Sequence, residues 1–146
     1  MNPDFLDLLR ALSAAEAQFL IVGAYAVSLH ARPRATGDID VWVDATSENA
    51  SRVFQALRAF GAPLSELSEA DLATPGIVFQ IGVPPRRIDI LTSLTGITFA
   101  EAWPGRVTTR IEGIECPFIG REALVRNKRA LGRPRDLADL ELLGES

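Results

Sequence analysis

Two aspartates two residues apart, Asp38 and Asp40, interrupt an apolar segment and constrain how this chain can fold. The residues from Ile39 to Val43 are otherwise β-branched or aromatic, and a glycine precedes the pair, so the pattern predicts a strand over 36–43. Strand side chains alternate between faces, which places both carboxylates on one face about 7 Å apart. Like charges on one face repel, so the pair favours a bound cation. Mg²⁺ is commonly held by one or two carboxylates together with substrate phosphates.

A third acid, Asp89, lies at the centre of a second short apolar run over 87–91. If this strand pairs beside the first, Asp89 completes a cluster of three carboxylates. Such a cluster predicts two Mg²⁺ or Mn²⁺ ions about 3.5–4 Å apart, which clamp the attacking and leaving oxygens of a phosphoryl displacement. Asp38, Asp40 and Asp89 are therefore the predicted metal ligands and catalytic residues, and Asp89 is also a candidate general base.

A small-residue turn precedes both acidic strands. The apolar strand predicted over 19–22 ends at Gly23 and Ala24, and a helical pattern follows from Tyr25 to His30. A turn of this kind lets backbone N–H groups approach phosphate oxygens at the positive end of the helix dipole. Gly23 and Ala24 are thus candidate nucleotide-binding residues. Arg34, close to the carboxylates in sequence, is a candidate for neutralising a triphosphate by bidentate hydrogen bonding.

In this order of elements the chain resembles the nucleotidyltransferase superfamily with the DNA polymerase β-type palm. That family has Gly-Gly or Gly-Ser at a strand end, then Asp-x-Asp or Asp-x-Glu, then a later Asp. A narrower resemblance is to the AbiEii-like and minimal nucleotidyltransferases of toxin–antitoxin systems. It rests on GAYA at 23–26, His30, RATGDID at 34–40 and the KRALGRPRDLADL tail at 128–140.

The resemblance implies transfer of a nucleoside monophosphate from an NTP, such as ATP, to a hydroxyl on RNA, protein or a small molecule. The metal would be Mg²⁺ or Mn²⁺, and Lys128 would contact the nucleotide by analogy with the family's C-terminal run. A small palm of this kind encloses a substrate poorly by itself, so the expected partners are a nucleotide, an unidentified acceptor, and a cognate antitoxin or a second copy of the chain.

One departure from the family leaves alternatives open. Ala24 stands where the family has Gly or Ser, and alanine supplies no hydroxyl and tolerates positive φ less well than glycine. The chain is therefore either an active nucleotidyltransferase or a catalytically degenerate one, retained as a nucleotide-binding or antitoxin-like partner protein. A metal-dependent phosphotransferase or nuclease that uses the same acids is a further alternative. His30 is interpreted as a packing or hydrogen-bonding residue.

Composition narrows the class of protein. The chain has 146 residues, 47% of them apolar, which fits one nucleotidyltransferase-like domain over 1–146. The net charge of −4 provides no global basic field for nucleic acid and argues against a large RNA substrate. Cys116 is the only cysteine, which excludes an intrachain disulfide and favours a reducing cytoplasm. No segment approaches the roughly 20 apolar residues of a membrane span, so no membrane association is expected.

The order of predicted elements is that of an α/β (α+β) fold, a mixed sheet flanked by helices with a C-terminal helical pair. Beyond the strands above, the pattern predicts helices over 3–18, 98–103, 121–131 and 134–143, and one that runs from a Thr46 or Ser47 cap to Gly61. One helical turn is expected near Ser68. Hairpins are predicted over 77–91 and 106–119.

Overall fold

A computed structural model describes residues 1–33 and 36–145 of the chain. Within that part, six strands form one mixed sheet in the order β3-β4-β2-β1-β6-β5. The strands are β1 (Phe19–Val22), β2 (Ile39–Val43), β3 (Val78–Ile81), β4 (Ile88–Leu91), β5 (Val107–Ile111) and β6 (Ile114–Phe118). The pairs β2–β4 and β1–β6 are parallel, and the other neighbouring pairs are antiparallel.

Helices accompany the sheet throughout the described residues, and the last two form the expected C-terminal pair. They are α1 (Pro3–Ala14), α2 (Gly23–His30), α3 (Ser47–Phe60), α4 (Glu69–Leu72), α5 (Phe99–Ala102), α6 (Arg121–Leu131) and α7 (Pro134–Leu142), with a 3₁₀ turn at Trp103–Gly105. The predicted α/β (α+β) class is confirmed. No described helix has the length and apolar character needed to cross a membrane.

Helix α1 is shorter than the sequence pattern predicts. Its start is as expected, with Asn2 accepting from the backbone N–H of Asp4 at 2.8 Å and Pro3 in the first turn. Its end at Ala14 comes four residues before the predicted boundary. The reason lies at Glu16, which adopts a φ of 56° and turns the chain out of the helix towards β1.

Strand β2 is also shorter than predicted, since it begins at Ile39 rather than at residue 36. Asp38 lies just before the strand, and its Oδ1 accepts from the backbone N–H of Arg87 at 2.8 Å. The next contact already belongs to the main chain, with the N–H of Ile39 donating to the carbonyl of Arg87 at 3.0 Å. At the point where the β2–β4 pair begins, a side-chain hydrogen bond thus replaces a backbone hydrogen bond between the strands.

The centre of the sheet is buried on both faces. All four residues of β1 are buried, and Leu8, Leu9 and Leu12 of α1 belong to the same core. Trp42 of β2 packs edge-on against Phe99, with ring centroids 5.0 Å apart. Burying a side chain of this size contributes about 1.5–3 kcal/mol. The strands that carry the acidic residues are therefore held in a rigid part of the molecule.

A buried asparagine ties the start of β1 to the end of β2. Asn49, at 4% exposure, accepts from Gln18 N at 2.7 Å and donates through Nδ2 to Gln18 O at 3.0 Å and Asp44 O at 2.8 Å. It thereby satisfies three backbone groups that lie beyond the strand ladder. One side chain thus attaches helix α3 to the end of the β1–β2 pair where β1 begins and β2 ends.

We expect Asn49→Ala to lower the free energy of unfolding by about 2–4 kcal/mol, because it leaves buried backbone donors and acceptors unpaired. Asn49→Asp, which keeps an acceptor and loses both amide donors, should also destabilise. Urea unfolding measures both changes. Gln55→Ala, on the exposed face of the same helix, serves as control and should stay within about 0.5 kcal/mol of wild type. An Asn49→Ala protein as stable as this control would contradict the assigned role.

Candidate active site

Parallel pairing of β2 and β4 brings two of the predicted acids side by side. In the register of this pair Asp40 lies opposite Asp89, and Val22 lies opposite Asp40 on the other side. Neighbouring strands are about 4.8 Å apart, so carboxyl groups on one face meet. The carboxyl groups of Asp40 and Asp89 lie close enough to interact. Asp38 lines the same cleft, although it lies before the strand.

The environment of Asp40 disfavours its charged form. Burial raises the pKa of Asp40 to about 6, helped by repulsion from Asp89 and by the hydrogen bond between the two carboxyl groups. The positive charges of Lys128 and Arg87 act in the opposite direction and only partly offset this. Excess negative charge therefore remains at the pair, a condition that a cation would relieve.

Gly23 is required by the position of Asp40. It has a φ of +67°, and a Cβ built on it would lie 2.2 Å from Asp40 Oδ2. The carboxylate thus rests directly on the backbone where β1 turns into α2. The non-glycine residues of the described chain with positive φ are Glu16 and Glu112. Ala24 therefore needs no glycine-like conformation, and the family departure at this position brings no backbone strain.

Arg87 is a site residue that the sequence analysis missed. Its Nε donates to Asp89 Oδ1 at 2.7 Å and its second guanidinium nitrogen to Asp89 Oδ2 at 3.1 Å, while the same nitrogen lies 3.5 Å from Asp38 Oδ2. The guanidinium therefore bridges the first and third acids. A signal was present, because residues 87 and 89 both belong to the strand predicted over 87–91 and share one face of it.

The C-terminal helical pair supplies a second charged group. Lys128 of α6 is 7% exposed, and its Nζ lies 3.0 Å from Asp139 and 3.4 Å from Asp136. Arg133 donates to Asp136 through Nε at 2.6 Å and through a terminal nitrogen at 3.2 Å. The hydrogen bond from Arg133 is the main cause that lowers the pKa of Asp136 to about 2. Lys128 thus lies in the cleft wall, held by two acids of α7.

These groups surround a cleft of about 760 Å³, a size typical of small-molecule sites. The turn at Gly23 and Ala24 lies on one side, and α6 and α7 supply residues to the other. The charged side chains that line it are Asp38, Asp40, Asp89, Asp139, Arg87, Lys128, Arg133 and Arg135. Among the described residues of the lining, positive and negative side chains are equal in number.

Two other predicted residues lie away from this description. Arg34 falls outside the described residues, and its nucleotide contact stays a prediction. His30 donates from Nε2 to the carbonyl of Ile119 at 2.7 Å, which joins α2 to the end of β6. That contact agrees with the packing and hydrogen-bonding interpretation of His30.

The arrangement of the acidic side chains limits which metal ions the cleft could hold. Residues 1–33 and 36–145 contain no group of three or more His, Cys, Asp or Glu side chains arranged to hold a metal ion. Arg87 stands between Asp38 and Asp89, which explains why the three acids are not gathered. Asp40 and Asp89 remain in contact, and two carboxylates with substrate phosphates suffice for Mg²⁺. The residues therefore fit one such ion, and the metal role of all three acids stays a prediction.

Solved structures of other proteins share the fold of this chain, although their sequences differ strongly from it. No family model and no curated protein sequence matches the chain. A lincosamide antibiotic adenylyltransferase with lincomycin bound superposes with a TM-score of 0.61 at 13% identity, covering 99% of this chain and 96% of that one. The enzyme ANT(2")-Ia in complex with adenylyl-2"-tobramycin gives 0.61 at 18% identity, covering 95% and 84%. An antigenic nucleotidyltransferase-like protein from Paracoccidioides brasiliensis gives 0.54 at 17%, covering 96% and 72%.

This chain has the nucleotidyltransferase fold. Its α/β architecture, expected from the sequence, is that of these solved structures. The narrower AbiEii-like resemblance is not tested by these neighbours and stays a prediction.

The contact between Gly23 and Asp40 in this fold can be tested by substitution. We expect Gly23→Ala to lower the free energy of unfolding by about 1–3 kcal/mol. Alanine would have to adopt an unfavourable positive φ, and its Cβ would collide with the Asp40 carboxylate. Gly132→Ala is the matched control, with a φ of +63° and its nearest contact at 3.7 Å. In the double variant Gly23→Ala/Asp40→Ala, part of the loss should be recovered. Equal losses at Gly23 and Gly132 in urea unfolding would contradict the contact.

The buried pairing of Asp136 predicts how stability depends on acid. The folded pKa of about 2 lies below the ordinary value of 3.8, so the contribution is present above pH 4 and lost as pH falls towards 2. It amounts to about 2 kcal/mol. Between pH 4 and 2, Asp136→Asn should lose less stability than wild type, and Arg133→Gln should also reduce the slope. Identical pH slopes for wild type and Asp136→Asn in chemical unfolding would contradict this pairing.

Proposed function

We propose that the protein is a nucleotidyltransferase that transfers a nucleoside monophosphate from an NTP to a hydroxyl acceptor. The observation that carries the proposal is the contact between Asp40 and Asp89 against the Gly23 turn, facing a cleft with basic residues on its opposite wall. The shared fold with two adenylyltransferases supports the reaction class.

The triphosphate would bind at the turn and the basic wall. Helix α2 begins at Gly23 without a side-chain cap, so its first N–H groups are available to phosphate oxygens. Arg133 and Arg135 line the cleft and add positive charge to the wall formed by the C-terminal helices. Lys128 lowers the local negative potential from a fixed, buried position. These groups position the α-phosphate and neutralise charge that develops on the leaving pyrophosphate.

The acids would act at the acceptor. Asp89, or Asp40 beside it, takes the proton of the acceptor hydroxyl. The hydroxyl oxygen forms a bond to the α-phosphorus as the bond to the bridging oxygen of pyrophosphate breaks, and pyrophosphate leaves. Asp40 and Asp89 are the residues that would hold Mg²⁺ or Mn²⁺, and such an ion supplies charge neutralisation and polarisation of phosphoryl oxygens when bound.

We propose a polyhydroxylated small molecule as the acceptor. Two structural neighbours are described with an antibiotic or its adenylyl product bound. The net charge of −4 argues against a large RNA. A toxin–antitoxin role, an antitoxin or homodimer partner and a cytoplasmic location remain parts of the proposal that rest on the sequence alone.

One observation favours the second candidate, a catalytically degenerate nucleotide-binding protein. Arg87 already neutralises part of the charge on Asp38 and Asp89, as a retained structural ion pair would. A protein of that kind would bind NTP without transferring it. The two candidates differ in turnover, which the following experiment measures.

We expect wild type with Mg²⁺ or Mn²⁺ and α-phosphate-labelled NTP to label an acceptor from an aminoglycoside and lincosamide panel. Asp40→Asn and Asp89→Asn should lower the rate at least 100-fold, because each removes a group that acts on the reacting atoms. The melting temperature of Asp40→Asn should be unchanged or higher, since its charged form is disfavoured by burial.

Asp7→Asn, at an exposed position of α1, is the control and should retain wild-type activity. Nucleotide binding by wild type without any transfer would favour the degenerate protein. Release of nucleotides from RNA, abolished by a chelator, would favour the nuclease alternative. A large loss of stability in Asp40→Asn would assign the pair a structural role.

A further inference from the structure

We infer that Arg87 is a built-in cation that replaces one of the two metal ions predicted for the acidic cluster, so that this chain takes a single divalent ion. The inference rests on the proposed function and deepens it at the same site. It assigns a role to a residue that the family motif does not include.

The position of Arg87 is fixed by its backbone. Its N–H donates to Asp38 Oδ1 at 2.8 Å, and its carbonyl accepts from Ile39 N at 3.0 Å. The backbone N–H and the backbone carbonyl of Arg87 are therefore both bound at the start of β2, and the side chain extends from this fixed backbone. From that fixed starting point the guanidinium reaches both acids, and its two hydrogen bonds to Asp89 hold it in the site.

The guanidinium lies between two carboxylates, in the place where a bridging cation would be expected. It forms two hydrogen bonds with Asp89 and also lies 3.5 Å from Asp38. Arginine keeps its charge at any physiological pH, and its planar fork matches a carboxylate. The side chains of Arg87, Asp38 and Asp89 are only 28%, 25% and 11% exposed, so water screens the contacts weakly.

The charges that remain match one divalent ion. Asp38, Asp40 and Asp89 carry three negative charges when ionised, and Arg87 supplies one positive charge. Lys128 acts on Asp40 from a distance, but its ammonium group is bound by Asp136 and Asp139, so its charge is counted with those two acids. Among the described groups, two negative charges are thus left at the cluster. Asp40 makes no hydrogen bond with Arg87 among those found in the described chain, so it is the acid left for the ion, together with Asp89.

The test is a Mn²⁺ titration of the nucleotide-free protein after chelator treatment, with free Mn²⁺ followed by electron paramagnetic resonance. Wild type should bind one equivalent, and Asp40→Asn should lose it. Arg87→Met removes the charge and should bind a second equivalent or bind the first at least tenfold more tightly. Arg87→Lys keeps the charge and should stay at one equivalent even if the Met variant folds poorly.

Arg110→Met is the matched control, since Arg110 is an exposed arginine paired with Glu115 on the edge strand β5, and it should behave as wild type. Two equivalents in wild type, no Mn²⁺ binding by wild type, or an Arg87→Met titration equal to that of wild type would each overturn the inference. Labelled-NTP transfer by wild type, measured alongside, separates the two proposals. Transfer with two bound ions would refute only the role of Arg87, and one bound ion without transfer would refute only the catalytic function.

Discussion

The parallel pairing of β2 with β4 is the constraint on which the site depends. It places Asp40 opposite Asp89 in the middle of a sheet whose centre is buried on both faces. A shift of one residue would send one carboxyl group to the other face. The apolar side chains between and around the acids oppose that shift, since it would expose them. The same core that stabilises the fold therefore holds two mutually repelling groups together, and Gly23 lets one of them lie on the backbone.

Two kinds of acid are present around one cleft. Asp136 has its charge matched by Arg133 and Lys128, and the pKa of its carboxyl is lowered to about 2. Asp40 is buried beside another acid, and its pKa is raised to about 6. The first arrangement stabilises the C-terminal helical pair, whereas the second costs stability at neutral pH. A group that costs stability and faces a cleft is better explained by binding or catalysis than by folding.

Much of the architecture could be predicted from sequence because it follows local patterns. Short apolar runs predict the central strands, and caps such as Thr46 and Gly61 predict the ends of α3. The departures arise from contacts between distant parts of the chain. Asp38 leaves β2 because it bonds to the backbone of Arg87, 49 positions away. The bridge formed by Arg87 and the burial of Lys128 also depend on strand order and helix packing, which no local pattern fixes. The adjacency of Asp40 and Asp89 was expected only on the condition that their strands pair.

Ala24, the departure from the family motif, and Arg87, which the motif does not specify, have different effects on the site. Ala24 lacks a hydroxyl, but it needs no positive φ, and the backbone N–H groups at the start of α2 do not depend on its side chain. Arg87 changes the site itself, because it alters both the charge and the space available between two of the three acids. Under the proposed function, a divalent ion at this site would be held by the carboxylates of Asp40 and Asp89. Since phosphates complete the coordination of Mg²⁺ in many enzymes, that pair is compatible with the proposed catalysis, and phosphate oxygens of the nucleotide would supply the donors that Asp38 does not.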